Sequence, residues 1–351
     1  MKIAMLLSGG VDSSVSLALL KEQGFDVTAF YLKIWLEDEL SFLGDCPWQE
    51  DLQYVQAICE QLSIPLEIVS FQHEYNQRIV SYVISETRAG RTPNPDILCN
   101  KQIKFGAFLD HIGHSFDKIA SGHYAQVESH SDFYTLRSTP DPIKDQTYFL
   151  SQLSQSQLAR VIFPIGHLQK HEVRALAQRY NLPNKNRPDS QGICFLGKLK
   201  FKEFLACHLG KKRGEIREFE TKKILGHHDG YWFHTIGQRQ GLQLSGGPWF
   251  VVLKDCEQNI VYVSRSYYTE DKKRDSFFIH NMHWIPTPND TQEYTVKLRH
   301  GAHKYRCTME QINDQTYKII LEKNDQGIAT GQFAVLYKGD YCCGGGVMQV
   351  A

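Results

Sequence analysis

The stretch that decides the fold of the first half of this chain is SGGVDSS, residues 8–14. It follows the apolar run Lys2–Leu7, which predicts a buried strand, and it leads into Ser13–Gln23, whose apolar spacing predicts a helix. Two glycines allow a tight turn, and serine hydroxyl and N–H groups at a helix N-terminus favour phosphate. This order of elements predicts a nucleotide-binding loop. The alternative is a glycine-rich turn with an ordinary helix cap.

Asp12 is the one residue of this loop that does not suit a bare anion, because its carboxylate would repel phosphate. It is interpreted either as a partner for magnesium or as a helix cap. The loop also lacks the G-x-x-x-x-G-K-[ST] spacing and the lysine of a Walker loop. A nucleotide site of another kind is therefore expected.

The pattern to about residue 125 continues as short apolar runs that alternate with amphipathic ones. The remaining predicted strands are Val27–Tyr31, Leu66–Ser70 and Lys118–Ser121, and the remaining predicted helices are Glu50–Leu62 and Lys101–Gly113. Strands separated by helices require crossover connections, so this part is predicted to be α/β with a doubly wound parallel sheet.

The character of the sequence changes after about residue 200. A lysine-rich helical stretch, Lys198–Lys212, leads into glycine-punctuated segments, and from Thr295 onward short β-forming runs are separated by turn signals. The predicted runs are Tyr294–Leu298, Tyr317–Leu321 and Phe333–Tyr337. We expect a catalytic domain at residues 1–204, a small α+β central domain at 205–272 and a C-terminal all-β barrel at 273–351.

Composition limits the classes of function that remain. Lysine plus arginine and aspartate plus glutamate are both 39, so net charge points neither to a nucleic-acid binder nor to a membrane-surface protein. No apolar run approaches the length of a bilayer span, and the N-terminal run is too short for a signal peptide. Nine scattered cysteines without a C-x-x-C pair predict reduced thiols, no structural metal and a cytoplasmic location.

Two cysteines stand in unusual surroundings. Cys99 ends RTPNPDILC, residues 91–99, and is expected near a helix start, where the dipole lowers the pKa of a thiol. Cys194 follows a glycine turn in RPDSQGICF, residues 187–195. For either cysteine alone, a buried inert thiol is the ordinary interpretation.

Taken together, these stretches carry a family resemblance. SGGVDSS resembles the PP-loop of N-type ATP pyrophosphatases, and the two cysteine stretches resemble those of the bacterial tRNA-specific 2-thiouridylases. Further segments resemble that family in order: SGHYA at 121–125, KDQTYFL at 144–150, FPIG at 163–166 and TIGQRQGL at 235–242. The sequence GDC at 44–46 departs from the paired cysteines of many members, so Cys46 is assigned no catalytic role.

The resemblance implies 2-thiolation of the wobble uridine of tRNA, uridine 34, in tRNAs with anticodons of the Lys, Glu and Gln types. ATP with Mg²⁺ would adenylate the uracil O2, and a persulfide on Cys194, charged by a sulfur-relay or cysteine desulfurase-type donor, would supply sulfur. Cys99 would be the partner thiol, which either frees the sulfur from Cys194 or closes a Cys99–Cys194 disulfide. Asp96 would act as a base or hold the uracil edge, with capping of the following helix as its alternative role. No flavin, haem or membrane partner is implied.

The resemblance also assigns binding residues. For ATP they are Leu7, Ser8, Gly9, Gly10, Val11, Asp12, Ser13, Ser14, Leu32 and Gly122. For the target base they are Asn94, Pro95 and Asp96. For tRNA they are His123, Lys144, Asp145, Gln146, Arg299, His300 and Gln332.

Two locally basic runs suit phosphate contacts with the RNA. They are Lys198–Lys223, with nine Lys/Arg against four Glu, and Lys297–Arg306, with four Lys/Arg and no acidic residue. The acidic stretch Glu37–Asp51 is expected to face away from the RNA, and a solvated surface is the alternative for any one run.

Two other functions compete with this interpretation. Another PP-loop ligase or tRNA-modifying enzyme would explain the ATP loop but not the two thiols. A nucleotide-regulated RNA-binding protein without catalysis would tolerate the loss of both cysteines.

Overall fold

The fold comes from a computed structural model, which describes residues 1–34, 48–189, 201–267, 274–288, 293–325 and 327–350. Cys46, Cys194 and most of the acidic stretch Glu37–Asp51 lie outside these ranges. In the described part of the chain, no helix combines the length and the apolar character that crossing a bilayer requires.

The first part of the chain is an α/β domain. Its strands are β1 (Lys2–Leu6), β2 (Asp26–Lys33), β3 (Leu66–Ser70), β4 (Lys118–Ser121), β5 (Gln126–Ser129), β6 (Tyr134–Arg137) and β7 (Val161–Ile162). Its helices are α1 (Val11–Glu22), α2 (Trp48–Leu62), α3 (Gln72–Tyr75), α4 (Ser81–Arg88), α5 (Pro95–Cys99), α6 (Phe108–Ile112), α7 (Thr147–Leu150), α8 (Gln155–Leu158) and α9 (Lys170–Arg179). Wider π-helical turns at Asn76–Val80 and Asn100–Ala107 join α3 to α4 and α5 to α6.

Five of these strands form a parallel sheet in the order β3-β2-β1-β4-β7. The chain leaves β1 at the point where the strand order reverses, between β2 on one side and β4 on the other. In open parallel sheets, ligands bind at this crevice beyond the carboxyl ends of the strands. The SGGVDSS loop therefore occupies the expected position for a ligand site.

A four-stranded sheet forms the core of the central part. Helix α10 (Phe201–Leu209) precedes β8 (Gly214–Glu218), β9 (Ile224–His228), a 3₁₀ turn (Tyr231–Phe233), β10 (Phe250–Asp255) and β11 (Ile260–Ser264). The strand order is β10-β11-β8-β9. The predicted boundary between residues 204 and 205 falls inside α10, whose Phe204 and Leu205 pack into the core of the first domain.

The last part is a closed barrel of six strands. They are β12 (Ser276–Trp284), β13 (Tyr294–Lys297), β14 (Tyr305–Asn313), β15 (Thr316–Leu321), β16 (Phe333–Lys338) and β17 (Tyr341–Gln349). The order β12-β15-β14-β13-β16-β17 closes because β17 also pairs with β12. The predicted fold class, a doubly wound α/β domain followed by an α+β domain and a β-barrel, is confirmed.

One pairing that the sequence did not predict joins the first and last domains. Strand β17 continues past the barrel and pairs with β6, Tyr341 opposite Arg137 and Cys342 opposite Leu136, so the β5–β6 hairpin extends the barrel sheet. Tyr148 of the first domain and Val335 and Tyr337 of the barrel share one hydrophobic core. The barrel is therefore packed directly on the α/β domain.

Candidate active site

The SGGVDSS loop forms the N-terminal end of α1. Gly9 has φ +78°, a left-handed conformation that suits glycine, and Gly10 is the N-cap residue. The hydroxyls of Ser13 and Ser14 donate to the carbonyl of Gly10 at 3.0 and 2.9 Å, which fixes both serines at the first turn. Backbone N–H groups at such a turn provide a site for phosphate oxygens.

Gly122, at the end of β4, lies against this loop. A Cβ atom on Gly122 would stand 2.6 Å from the backbone nitrogen of Ser13, so only glycine allows this approach. Leu7 is buried, and its N–H bonds to the carbonyl of Phe30 in β2 at 2.9 Å. Leu32 lies further along β2 and is half-buried. These residues surround the same edge of the sheet.

The carboxylate of Asp12 is held by two side chains. Tyr124 donates its hydroxyl to Asp12 Oδ1 at 2.8 Å, and Lys170 Nζ donates to the same oxygen at 2.6 Å. Since the cap of α1 is Gly10, the alternative role of Asp12 as a helix cap is wrong. Asp12 instead anchors an ionic network at the rim of the loop.

The network continues to Asp189, five residues before Cys194 in the sequence. Lys170 Nζ lies 2.8 Å and Lys144 Nζ 2.6 Å from the Asp189 carboxylate, and Arg174 also contacts it. Burial alone would raise the pKa of Asp189, but hydrogen bonds and charge from Lys144 and Lys170 hold that pKa well below its ordinary value. Sequence reasoning missed Lys170 and Arg174 because neither lies in a recognisable motif. Asp189 belongs to the Cys194 stretch.

The helix that carries Cys99 begins earlier than predicted. It starts at Pro95, with Asn94 as the N-cap residue accepting from the N–H of Ile97 at 3.4 Å. The predicted start near Lys101 is therefore wrong, and so is the alternative that Asp96 caps this helix. Asn followed by Pro is a helix-start signal that could have revealed this, because proline at the first helical position pre-sets φ.

Cys99 lies past the first turn of this helix and is 1% exposed. The helix dipole acts mainly within the first turn, so the expected position at the helix start is wrong for this thiol. Four other thiols among the described cysteines are also buried, and burial raises the pKa of Cys59 to about 11 and that of Cys307 to about 12. Burial likewise raises the pKa of Cys342.

The loop before Cys99 is held by a turn of the barrel. The N–H of Thr92 donates to the carbonyl of Thr330 at 2.9 Å, and Gln332 Nε2 donates to the carbonyl of Pro93 at 3.4 Å. A Cβ atom on Gly331, which has φ +95°, would lie 2.9 Å from the nitrogen of Thr92. The structure thus brings Gln332, assigned to tRNA by the resemblance, beside the residues assigned to the target base.

Tyr148 also connects the loop before Cys99 to the barrel. Asn94 Nδ2 donates to the Tyr148 hydroxyl at 3.4 Å, and that hydroxyl donates to the carbonyl of Phe333 at 3.0 Å. Tyr148 is fully buried. It lies in the family segment KDQTYFL, but its contact with Asn94 has no signal in the sequence.

His300 reaches the Cys99 region from the barrel. Its ring stacks on Phe149 with centroids 4.7 Å apart, and Phe149 in turn accepts a hydrogen bond from Asn100 at its carbonyl. Burial first and Lys297 second lower the pKa of His300, whereas Asp145 and Asp96 act to raise it. Neighbouring Arg299 pairs with Asp325 at 2.5 Å.

The other residues assigned to tRNA are engaged within the chain. His123 is buried, with Nδ1 2.8 Å from Ser121 Oγ, and burial lowers its pKa well below the ordinary value. Gln146 Oε1 accepts from the N–H of Tyr124 at 2.9 Å. Asp145 is paired with Lys297 in the interior at 2.6 Å, and Lys144 pairs with Asp189. Their contact with RNA stays a prediction.

The candidate site therefore contains a phosphate-type loop, a charged rim and a buried thiol held by the barrel. The expected role of Cys194, the Cys99–Cys194 disulfide and the assignment for Cys46 fall outside the described residues. Within the described ranges, no three His, Cys, Asp or Glu side chains are grouped so that they could hold a metal ion. Lys211, Lys212 and Arg213 of the first basic run are exposed.

Comparison with known proteins covers the whole architecture. Residues 1–198 match the family model of the tRNA methyl transferase HUP domain. Residues 202–265 match that of the tRNA methyl transferase PRC-barrel domain, and residues 274–348 match that of the aminomethyltransferase beta-barrel domain.

Curated relatives agree over nearly the full length. The chain is 46% identical over 355 residues to tRNA-specific 2-thiouridylase MnmA of Parabacteroides distasonis, with 99% of each chain covered. It is 44% identical over 359 residues to that of Porphyromonas gingivalis and 46% identical over 354 residues to MnmA 2 of Bacteroides fragilis, each alignment again covering 99% of both chains. The chain thus belongs to the tRNA-specific 2-thiouridylases, a family of tRNA sulfurtransferases.

Proposed function

We propose that this chain replaces the O2 oxygen of uridine 34 in tRNA by sulfur, using ATP to activate that oxygen and Cys194 and Cys99 to deliver the sulfur. Family membership supports tRNA thiolation and ATP use. The tRNAs are those with anticodons of the Lys, Glu and Gln types, and the sulfur source is a persulfide-carrying donor protein.

One observation carries the proposal. Lys170 bonds to Asp12 of the ATP loop and to Asp189, which stands five residues before Cys194. The chain therefore enters the Cys194 stretch at the rim of the ATP loop. Activation of the uridine and delivery of sulfur need neighbouring groups, and this connection supports a shared site.

In the first step, the uracil O2 attacks the α-phosphate of ATP and pyrophosphate leaves. The N–H groups at the start of α1, with Ser13 and Ser14, would bind the phosphates, and Lys170 would offset their charge. Asp12 would hold the Mg²⁺ that accompanies ATP, and that ion would supply positive charge beside the phosphate oxygens.

In the second step, the terminal sulfur of a Cys194 persulfide attacks C2 of the adenylated uridine, and AMP leaves with the former O2. The Cys99 thiolate then attacks Cys194 Sγ, which breaks the sulfur–sulfur bond and releases 2-thiouridine. The two cysteines are oxidised to a Cys99–Cys194 disulfide, and the transferred sulfur is reduced by the same two electrons. A reductant in the cell must restore the thiols before the next cycle.

The uridine must leave its stack to reach these groups, as single-stranded loop bases readily do. Asn94, Pro95 and Asp96 would meet the flipped base, with Asp96 as the candidate base for the N3 proton. Lys144, Gln146, Arg299, His300 and Gln332 would lie along the path of the anticodon loop. Exposed Lys211, Lys212 and Arg213 would meet phosphates further along the RNA.

The test is a reconstitution with purified chain, Mg²⁺-ATP, a persulfide-carrying protein and tRNA bearing unmodified uridine 34. We expect 2-thiouridine by mass spectrometry of digested tRNA, with one AMP and one pyrophosphate per product. ADP instead of AMP would contradict the ATP loop assignment. A different adenylated or ligated product on the tRNA would favour another PP-loop ligase.

A further inference from the structure

Asp145 and Lys297 form an ion pair buried between the first domain and the barrel. Lys297 Nζ donates to Asp145 Oδ2 at 2.6 Å, and each side chain is 2% exposed. Thr147 Oγ lies 2.9 Å from Asp145 Oδ1 and 3.0 Å from the hydroxyl of Tyr337. The Lys297 ammonium also lies 5.2 Å from the centre of the Tyr337 ring.

Each partner of this pair leads directly to the candidate site. On the barrel side, His300 follows Lys297 by three residues and stacks on Phe149, and both Lys297 and Asp145 act on the pKa of its ring. On the other side, Asp145 precedes α7, whose Phe149 carbonyl accepts from Asn100, the residue after Cys99. The pair therefore connects the segment that carries His300 with the segment that holds the Cys99 helix.

Stability alone is a weak reason for such a pair. Removing two charges from water costs several kcal/mol per ion, and well-packed apolar replacements of buried ion pairs are often equally stable or more stable. What a buried pair with a further hydroxyl partner provides is one defined geometry, because neither charge finds another partner inside the protein without large cost. That geometry lies between two domains.

We propose that Asp145 and Lys297 are positioning residues, which hold His300 and its turn of the barrel over helix α5, Pro95–Cys99, so that the barrel completes the uridine site. This inference rests on the proposed function. It gives Asp145 a different role from its neighbours Lys144 and Gln146: the carboxylate acts through Lys297 and His300 instead of touching the RNA.

The first test compares Asp145→Asn and Lys297→Met with a control pair, Glu22→Gln and Arg179→Met. The control pair is an exposed ion pair, with Arg179 Nη2 2.8 Å from Glu22 Oε1. Glu22 is the last residue of α1, at the opposite end of that helix from the ATP loop. In both variants of the buried pair we expect kcat for thiolation to fall at least about 10-fold, because each variant breaks a buried polar contact. The KM for ATP should change less than about 2-fold. Both control variants should keep wild-type kcat. Wild-type kcat in both buried-pair variants would overturn the proposal.

A double variant, Asp145→Leu with Lys297→Met, separates position from stability. Apolar replacement of both charges is expected to restore the melting temperature, because no charge is left unpaired. It should not restore kcat, because the defined geometry is gone. If kcat recovers together with melting temperature, the pair is only structural and the proposal is wrong.

If Asp145→Asn does not fold, Thr147→Val is the substitute variant. It keeps both charges and removes one hydrogen-bond partner of Asp145, and kcat should fall about 3-fold.

A second readout is independent of thiolation. His300 faces Lys297 of its own segment, Asp145 beyond the domain boundary and Asp96 of α5. Lys297→Met should raise the pKa of His300, whereas Asp145→Asn should lower it, because one removes a positive and the other a negative neighbour. Histidine NMR of the full chain measures both shifts, with His300→Gln identifying the signal. Absent shifts, or shifts of one sign, would overturn the positioning role, whereas lack of 2-thiouridine in the wild type would overturn only the proposed function.

Discussion

The candidate site has two halves that are held by different kinds of contact. The nucleotide half is residues 8–14 with Gly122, Lys170 and Asp189, and its ion pairs involve side chains that are 15–34% exposed. The uridine half is residues 91–100 with Tyr148, His300 and Gln332, held by buried hydrogen bonds and a stacked ring. Partly exposed ion pairs can exchange partners when a charged ligand arrives. Buried hydrogen bonds hold one arrangement.

Because of this difference, the two halves respond differently to substitution. In the nucleotide half, removal of a charge changes what the loop binds while its backbone shape persists, because Gly9, Gly10 and Gly122 set that shape. In the uridine half, removal of a polar group disturbs the position of its neighbours, because each contact bridges segments that are distant in the chain.

The largest effect is expected at the two thiols, Cys99 of the uridine half and Cys194. Cys194→Ser should carry no persulfide and form no 2-thiouridine, since the sulfur-bearing atom is gone. Cys99→Ser should still accept sulfur on Cys194, but turnover should fall about 1000-fold or more because the sulfur–sulfur bond has no resolving thiol. Mass spectrometry of the intact protein and of digested tRNA measures both.

Cys207→Ser is the matched control, since Cys207 is exposed and belongs to neither of the two sequence stretches. Its thiolation rate should equal that of the wild type. Wild-type rates in the Cys99 and Cys194 variants would show that the two-thiol mechanism is wrong, and ATP affinity should be unchanged in all three.

The next effect is expected in the nucleotide half. Asp12→Asn removes the charge that holds Lys170 and receives the Tyr124 hydroxyl, so kcat/KM for ATP should fall about 10- to 100-fold. The dissociation constant for tRNA should stay nearly constant. Pyrophosphate release and filter binding measure the two quantities.

Asp26→Asn, an exposed change at the amino end of β2, is the control and should leave ATP kinetics unaltered. If Asp12→Asn weakens tRNA binding as strongly as it weakens ATP use, the two halves are not separable as described.

A smaller effect is expected for Tyr148→Phe, which deletes one hydroxyl from the uridine half. The unfolding free energy should fall by about 1 kcal/mol, the usual value of a buried hydrogen bond, and kcat should fall about 3- to 10-fold because Asn94 loses its link to Phe333. Urea unfolding and steady-state thiolation measure these changes.

Tyr341→Phe removes a less buried hydroxyl, which donates to Glu128 at 3.0 Å, outside residues 91–100. It should lower stability no more than Tyr148→Phe and leave kcat at the wild-type value. Equal kcat losses in the two variants would show that the hydroxyl of Tyr148 has no special position.

The smallest effect per residue is expected outside both halves. Charge reversal at Lys211, Lys212 and Arg213 should weaken tRNA binding and reduce its salt dependence, with the slope falling by about 1 for each phosphate that the variant no longer binds. ATP kinetics should not change. Binding isotherms at several salt concentrations measure the slope, and an unchanged slope would identify this stretch as a solvated surface.

The two halves also differ in how much of them could be predicted from the sequence. The ATP loop is contiguous, its strand–turn–helix context is local, and its position in the sheet follows from the chain order of strands and helices. Lys170 and Asp189 join it only in three dimensions. Asp189 belongs to a recognisable motif, whereas Lys170 stands in an ordinary amphipathic helix.

The uridine half is assembled from distant segments, and local patterns say little about it. Thr92 and Thr330 are hydrogen-bonded neighbours although 238 positions separate them. The helix start at Pro95 does have a local signal, the Asn-Pro pair, and the predicted start is several residues too late. The short strands β5 and β6 and the closure of the barrel depend on pairings that only the folded chain reveals.

The pairing of strand β17 with three other strands has a consequence for how the molecule unfolds. Its Tyr341–Gln349 backbone is hydrogen-bonded to β16, β12 and β6 at once. Opening the barrel at this strand also detaches the β5–β6 hairpin, so barrel and hairpin open together as one cooperative unit. The amide protons of Leu136 and Gly345 should then exchange with solvent at similar rates, although one belongs to the domain that binds nucleotide and the other to the barrel.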